Sequence, residues 1–304
     1  MRRSGDAPSL PPLGALLDAV RGVTWPARRP VHRRGAPGTH VSRLTGASPE
    51  FTAYRPYRQG DDPRRLDWKL LARTDRAYLR ITSDRATIGT VFVLDASASM
   101  AFPEPGWDKW TLGAQLLIGL GAVALASGDP VGMVVGGAPT QIAPPRTRRG
   151  TIAELTRIVR ETSPAGSAPL VAALGRVPNV PRVVLISDFL GDDGDALLRA
   201  ARARLAAGDD VQAVHVLARE ELEPPARALL AVDPERRQLE RALGEETRAA
   251  YLAAFGAWRD QLARDWRAAG AAVHEAVTGE DPATAVRRIA HAALETAVER
   301  GVGA

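Results

Sequence analysis

Asp95, Ser97 and Ser99 stand at alternate positions directly after the apolar run Val91-Phe92-Val93-Leu94, and Asp188 follows a second such run, Val183-Val184-Leu185-Ile186. Short runs without a polar residue read as strands buried on both faces of a parallel sheet. In a doubly wound sheet, ligands bind beyond the carboxyl ends of the strands, where the strand order reverses. A carboxylate accompanied by two small hydroxyls is a set of hard oxygen donors. Such a set suits Mg2+ or Mn2+, which use few carboxylates and keep several waters. The same residue types also have a plainer use, because serine and aspartate after a strand cap the next helix or turn.

A second constellation lies upstream: Arg55-Pro56-Tyr57, Gly60-Asp61-Asp62-Pro63-Arg64, Asp67-Trp68 and Ala72-Arg73. Gly60 permits a tight turn, and the three acids interleave with Arg55, Arg64 and Arg73. Arginine forks pair bidentately with carboxylates, so this stretch can fold into a fixed ionic network with Trp68 and Tyr57 as packing anchors. It can equally form a partner-binding surface.

The elements that must position these residues follow from the hydrophobic rhythm. From Thr90 onward, strands alternate with helices: strand 91–94, helix 108–127, strand 131–135, an edge strand at 141–143, helix 151–161 with Ile152, Leu155 and Ile158 on one face, and strand 182–187. Helix 195–207 ends before Gly208, strand 211–217 follows, helix 245–269 runs to Gly270, and strand 272–277 precedes a helix that starts at Asp281-Pro282. This alternation predicts a doubly wound, mostly parallel α/β sheet covered on both faces. Residues 1–35, rich in Arg, Pro and Gly, read as a weakly packed basic arm. Residues 36–87 read as a small strand-and-loop subdomain, and 88–300 as the α/β domain.

Composition narrows the function classes. The chain has 304 residues, 45% of them hydrophobic and 25% charged, and no cysteine. That removes disulfides, thiolate metal sites and cysteine nucleophiles. The net charge of +5 is uneven: residues 1–90 hold 17 Arg and Lys against 8 Asp and Glu, and the rest of the chain is net acidic. Only Lys69 and Lys109 are lysines among the 40 basic residues. A nucleic-acid-binding module is thus a candidate class, but no aromatic-interleaved basic stripe supports it. No phosphate-binding Gly-x-x-x-x-Gly-Lys-Ser/Thr loop and no Gly-x-Ser-x-Gly elbow is present. A hydrolase using Asp95 and Asp188 with a metal is the enzymatic alternative, and it lacks an evident base or nucleophile. The histidines are scattered, and His215 and His274 fall in expected core strands. The uncharged run 110–127 fits a buried helix, and Pro8, Pro11 and Pro12 break the N-terminal stretch, so a cytoplasmic protein without a membrane span is expected.

Asp-x-Ser-x-Ser after a first strand resembles the metal-ion-dependent adhesion site of von Willebrand factor A domains. The resemblance implies a further threonine on a loop before a short helix, and a later aspartate, which Asp188 supplies. In Ser163-Pro-Ala-Gly-Ser167-Ala168-Pro-Leu170 the threonine slot falls on Ala168, leaving Ser167 or Ser163 as substitutes. The upstream series Arg-x-Tyr, Gly-Asp-Asp, Arg-x-Leu-Asp-Trp and Ala-Arg resembles the family called domain of unknown function 58, over about residues 35–188. That resemblance implies a von Willebrand A-like fold, a non-enzymatic interaction role, and partnership with a MoxR-type AAA+ ATPase or its client in complex assembly or maturation. The expected site is therefore Asp95, Ser97, Ser99, Asp188 and Ser167 for Mg2+ or Mn2+. The family motif comprises Arg55, Tyr57, Gly60, Asp61, Asp62, Arg64, Asp67, Trp68 and Arg73.

Overall fold

The computed structural model describes residues 10–28, 37–41, 51–58, 61, 63, 66–82, 85–225, 230–232, 240–242 and 244–299. Gly60, Asp62 and Arg64 of the upstream motif, and His32, lie outside them. The first elements are α1 (Gly14–Ala19), β1 (Pro37–Val41), β2 (Phe51–Pro56), α2 (Trp68–Thr74), β3 (Tyr78–Thr82) and β4 (Arg85–Ala86). The sheet region follows with β5 (Thr90–Asp95), α3 (Asp108–Ala126), β6 (Val131–Gly136), β7 (Gln141–Arg146), α4 (Thr151–Glu161), α5 (Leu170–Gly175), β8 (Arg182–Ser187), α6 (Gly194–Ala206), β9 (Asp210–Leu217) and α7 (Arg219–Leu222). Two short strands, β10 (Leu230–Val232) and β11 (Glu240–Ala242), precede α8 (Glu245–Ala268), β12 (Ala272–Val277) and α9 (Pro282–Glu299).

The central sheet has six strands in the order β12-β9-β8-β5-β6-β7. All pairings are parallel except that of the edge strand β7 with β6. This is the doubly wound, mostly parallel α/β arrangement expected from the sequence. Strands β5, β6, β8 and β9 are buried along their whole length, which explains the apolar runs at 91–94 and 183–186, while β9 also buries Asp210, Gln212 and His215. Their side chains alternate between two cores. Phe92, Leu94, Val184 and Ile186 pack against the face that carries α1, α3, α4 and α9, whereas Val91, Val93, Val183 and Leu185 face α5, α6 and Trp266 of α8. Gly132 sits at a register shift between β6 and β7, where a Cβ would lie 2.6 Å from the Ala143 carbonyl oxygen. Glycine is what lets the antiparallel edge close there. Helix α3 is apolar enough to cross a membrane by composition, but it is a buried core helix.

The N-terminal stretch corrects one expectation. Residues 10–28 are firmly packed rather than loosely attached: Leu10, Leu13, Leu16, Val20 and Trp25 join the core beneath α3 and α9. The reason is a buried arginine. Arg182, at the start of β8, is fully buried and needs acceptors. It donates to the backbone carbonyls of Trp25 (3.2 Å) and Pro26 (2.6 Å) and pairs with Asp210 at 3.4 Å, while its guanidinium lies 4.2 Å from the Trp25 ring centroid. Arg28 adds a second contact to Asp210 at 3.3 Å. Apolar spacing too short for a long helix hid this segment in the sequence.

The upstream subdomain pairs β1 with β4 and β2 with β3, both antiparallel. Helix α2 was not expected in this strand-and-loop region. Asp67 starts it, accepting from the Lys69 and Leu70 amides at 3.0 Å each and from the Tyr54 hydroxyl at 2.9 Å. Arg55 and Asp61 form an ion pair at 2.8 Å, and the Tyr57 hydroxyl donates to the Asp61 carbonyl at 3.2 Å. Arg73 is exposed on α2. Trp68 is 63% exposed, so it is not a packing anchor.

Two substitutions test this description. Trp25→Ala should lower unfolding free energy by about 3–5 kcal/mol, the usual loss for a buried large aromatic, measured by urea denaturation. Asp67→Ala should lower it by only about 1 kcal/mol, the value of a helix cap. A larger loss would restore the buried-network reading of that aspartate.

Candidate functional site

Helix connections from β5 and β8 run to opposite sides of the sheet, so the strand order reverses between these neighbours. Their carboxyl ends form the crevice in which such folds bind ligands. Asp95 ends β5, and Asp188 comes directly after β8. Four expected residues converge here: Asp95, Ser97, Ser99 and Asp188 are all nearly out of solvent. Asp95 and Ser97 line the cleft itself, whereas Ser99 and Asp188 are buried outside its lining. The cleft above holds about 190 Å3 and is lined by Asp95, Ser97, Ser167, Ala168 and the apolar side chains of Phe189, Leu262 and Trp266, among others. Ser167 is exposed at the mouth, whereas Ser163 does not line the cleft, so Ser167 is the better placed of the two substitutes. Ala168 is buried and offers no side-chain oxygen.

Local chain geometry fixes each group. Asp95 Oδ1 accepts from the Ser97 amide at 2.8 Å, and Oδ2 accepts from the Ser187 hydroxyl at 2.5 Å. Ser97 and Ser99 lie around the start of a single 3-10 turn, Ala98–Ala101, and their hydroxyl oxygens are 2.9 Å apart. Adjacent ligands on an octahedral Mg2+ ion, at about 2.1 Å from the metal, are roughly 3 Å apart. The 2.9 Å separation is that of a hydrogen bond between the two hydroxyls, and it is also close to the spacing of adjacent ligands on such an ion. Among the described residues, no group of three or more His, Asp or Glu side chains converges as a metal cluster. The chemistry of the site rests on hydroxyls with one or two carboxylates.

Asp188 is engaged differently. Phe189 adopts a left-handed backbone with φ 55°, turning the chain sharply just past the strand, and its amide bonds Ser187 Oγ at 2.8 Å. A bulky residue in that region stores strain and holds the turn in one shape. Asp188 Oδ2 accepts from Lys109 Nζ at 2.7 Å, and Oδ1 accepts from the Leu190 amide at 3.2 Å. Lys109 also donates to Glu221 Oε1 at 2.7 Å. Sequence reasoning missed Lys109, Glu221 and Ser187 as site residues. The available signal for Lys109 was a lone lysine opening an otherwise apolar helix in an arginine-dominated chain.

The electrostatics follow from burial. Burial, reinforced by repulsion from Asp188, pushes the Asp95 carboxyl up to about 7 against the opposing hydrogen bonds of Ser187 and Ser97. Burial pulls Lys109 downward, but attraction to Asp188 and Glu221 outweighs it and leaves its pKa raised. Burial raises Glu221 despite Lys109. His215, on β9, is held near pH 4 mainly by burial, and it packs edge-on against Phe189 and Trp258. His215 and His274 are core residues, as expected.

A family model, "Protein of unknown function DUF58", matches residues 53–261. The chain belongs to the DUF58 family. Uncharacterized proteins of Mycobacterium tuberculosis and Mycobacterium bovis are each 30% identical over 196 residues, which cover 62% of this chain and 61% of the relative. The match thus spans about three fifths of those relatives' length. Similar solved structures include the conserved hypothetical protein BatB from Bacteroides thetaiotaomicron, at TM-score 0.41 and 16% identity over 68% of this chain and 99% of that one. Manganese-loaded TRAP protein from Plasmodium vivax aligns at TM-score 0.35 and 15% identity, over 42% of this DUF58 chain and 56% of that one.

The raised pKa of Asp95 gives a pH prediction for the metal-free protein. The folded state keeps a proton that the unfolded chain, with an aspartate pKa near 3.9, has already released. Stability is therefore lost as pH rises from about 4 to about 7 and then levels off. Asp95→Asn does not titrate, so its unfolding free energy in EDTA, measured by urea denaturation, should gain on wild type across that window, by about a few kcal/mol at most. A difference that stays constant between pH 5 and pH 8 would count against a buried, cation-deficient Asp95.

Proposed function

We propose that this DUF58 protein is a non-enzymatic interaction scaffold that binds a partner through the cleft at the carboxyl ends of β5 and β8. The carrying observation is the pair of Ser97 and Ser99 hydroxyls, 2.9 Å apart beside the buried Asp95 at the cleft floor. Asp95, Ser97 and Ser99 would hold Mg2+ or Mn2+ from the protein side, with Ser167 at the mouth and Asp188 behind. A bound divalent ion supplies positive charge with positions open to exchange. The cleft volume of about 190 Å3 has room for an acidic side chain of a partner together with waters. The apolar wall of Phe189, Leu262 and Trp266 gives that side chain a dry flank.

Two features support binding over turnover. No histidine is among the residues that line the cleft. The amine of Lys109 is committed to two carboxylates, so it is a poor base or nucleophile. The given sequence carries no phosphate-binding loop, which is consistent with an ATPase partner for any energy-dependent work. Family resemblance points to a MoxR-type AAA+ ATPase, or its client, as the partner in a cytoplasmic assembly or maturation step.

Calorimetry with millimolar Mg2+ or Mn2+ should show binding to wild type and its loss in Ser97→Ala/Ser99→Ala. A tagged chain purified from its native cell with Mg2+ and ATP should bring down the ATPase or its client, with recovery reduced by EDTA and by Asp95→Ala. Recovery of no AAA+ ATPase under those conditions would sink the partnership. Equal metal binding by wild type and the double variant would sink the site.

A further inference from the structure

Lys109 is one of only two lysines among 40 basic residues, and the other, Lys69, is exposed. Its ammonium is buried between Asp188 and Glu221, at 2.7 Å from each, with the Phe102 ring centroid at 5.6 Å. A compact ammonium fits between two facing carboxylates, where a planar guanidinium fork needs a wider gap. Lysine is thus used at the one place in the site where charge must be concentrated at a point.

We infer that Lys109 is a built-in cation that holds Asp188 in place of a metal ion, leaving divalent-ion binding to Asp95, Ser97 and Ser99. This rests on the metal reading given above and specifies how its charge is divided. The two aspartates differ in their partners. Asp188 takes a charged donor on Oδ2 and the Leu190 amide on Oδ1. Among the described residues Asp95 takes neutral donors, the Ser97 amide and the Ser187 hydroxyl, so no ion pair answers its carboxylate when it ionises. Glu221 reaches the ammonium from α7, where it also accepts from the Ala218 amide at 2.7 Å. The ammonium therefore ties α3, the end of β8 and α7 together, and a divalent ion placed on Asp188 Oδ2 would compete with it. Lys109 is a positioning residue, and it lowers the number of acids available to a metal, which sets affinity.

Lys109→Met keeps the chain length and removes the charge. In EDTA, uncompensated Asp188 and Glu221 should lower the melting temperature by on the order of 10 °C. Millimolar Mn2+ should restore most of that loss, and calorimetric affinity for Mn2+ should rise about tenfold or more over wild type as Asp188 becomes a ligand. Asp188→Asn, which preserves a Lys109 contact, should bind Mn2+ within a few-fold of wild type and serves if Lys109→Met does not fold. If wild type binds no Mn2+ while Lys109→Met does, Lys109 stands as the cation that replaces a metal on Asp188, and the metal reading of Asp95, Ser97 and Ser99 in the native site fails. If wild type binds Mn2+ and Lys109→Met binds no tighter, or Asp188→Asn loses binding altogether, the metal reading stands and the inference is overturned. Absence of binding in all three proteins overturns both.

Discussion

Two carboxylates held side by side out of water are the constraint on which this site depends. Asp95 and Asp188 emerge from adjacent parallel strands, and burial leaves neither with solvent to stabilise its charge. The protein answers the two charges in different ways. Asp188 is matched by a full positive charge from Lys109, while Asp95 receives only dipoles from Ser97 and Ser187. Among the described residues, the asymmetry leaves Asp95 at the cleft without an ion-pair partner, next to two hydroxyls that bond each other at 2.9 Å.

The opposite end of the sheet meets a related problem with a different residue. Arg182 opens β8 and is fully buried, so its guanidinium needs carbonyls and a carboxylate. The segment before the subdomain supplies the carbonyls of Trp25 and Pro26, and β9 supplies the carboxylate of Asp210, which Arg182 shares with Arg28. Residues far apart in sequence are thereby joined to the same strand at its two ends. Basic composition, which marked residues 1–35 as a loose arm, is here partly spent on internal ion pairing.

The upstream motif divides into local devices. Arg55 with Asp61 and Tyr57 closes a turn, and Asp67 starts α2 as a cap. Trp68, next to that cap, faces solvent, with Lys69 and Arg73 exposed on the same short helix. The order of residues in the motif reflects chain-local hydrogen bonding more than a buried ionic lattice. Burial is scarce in α2, so no apolar stripe announces it, and the capping aspartate was its only sequence signal.

The main strands and the long helices after Thr90 were legible in the sequence because buried parallel strands are mostly apolar and glycine or an Asp-Pro pair marks helix ends, whereas the short elements α5, α7, β10 and β11 carried no such pattern. Asp95, Ser97, Ser99 and Asp188 were legible for the same reason: each follows directly on such a strand, and the winding of the sheet brings strand ends together. What tertiary structure alone decided was charge and access. No spacing rule places Lys109 against Asp188, 79 positions later, or Glu221, 112 positions later. Nor does the sequence say that Ser97 lines a cleft with Asp95, or that Trp25 covers Arg182. Local patterns report which side of an element meets the core, since that depends on period. Which charges meet inside the core depends on contacts between distant elements, and only the folded chain brings those together.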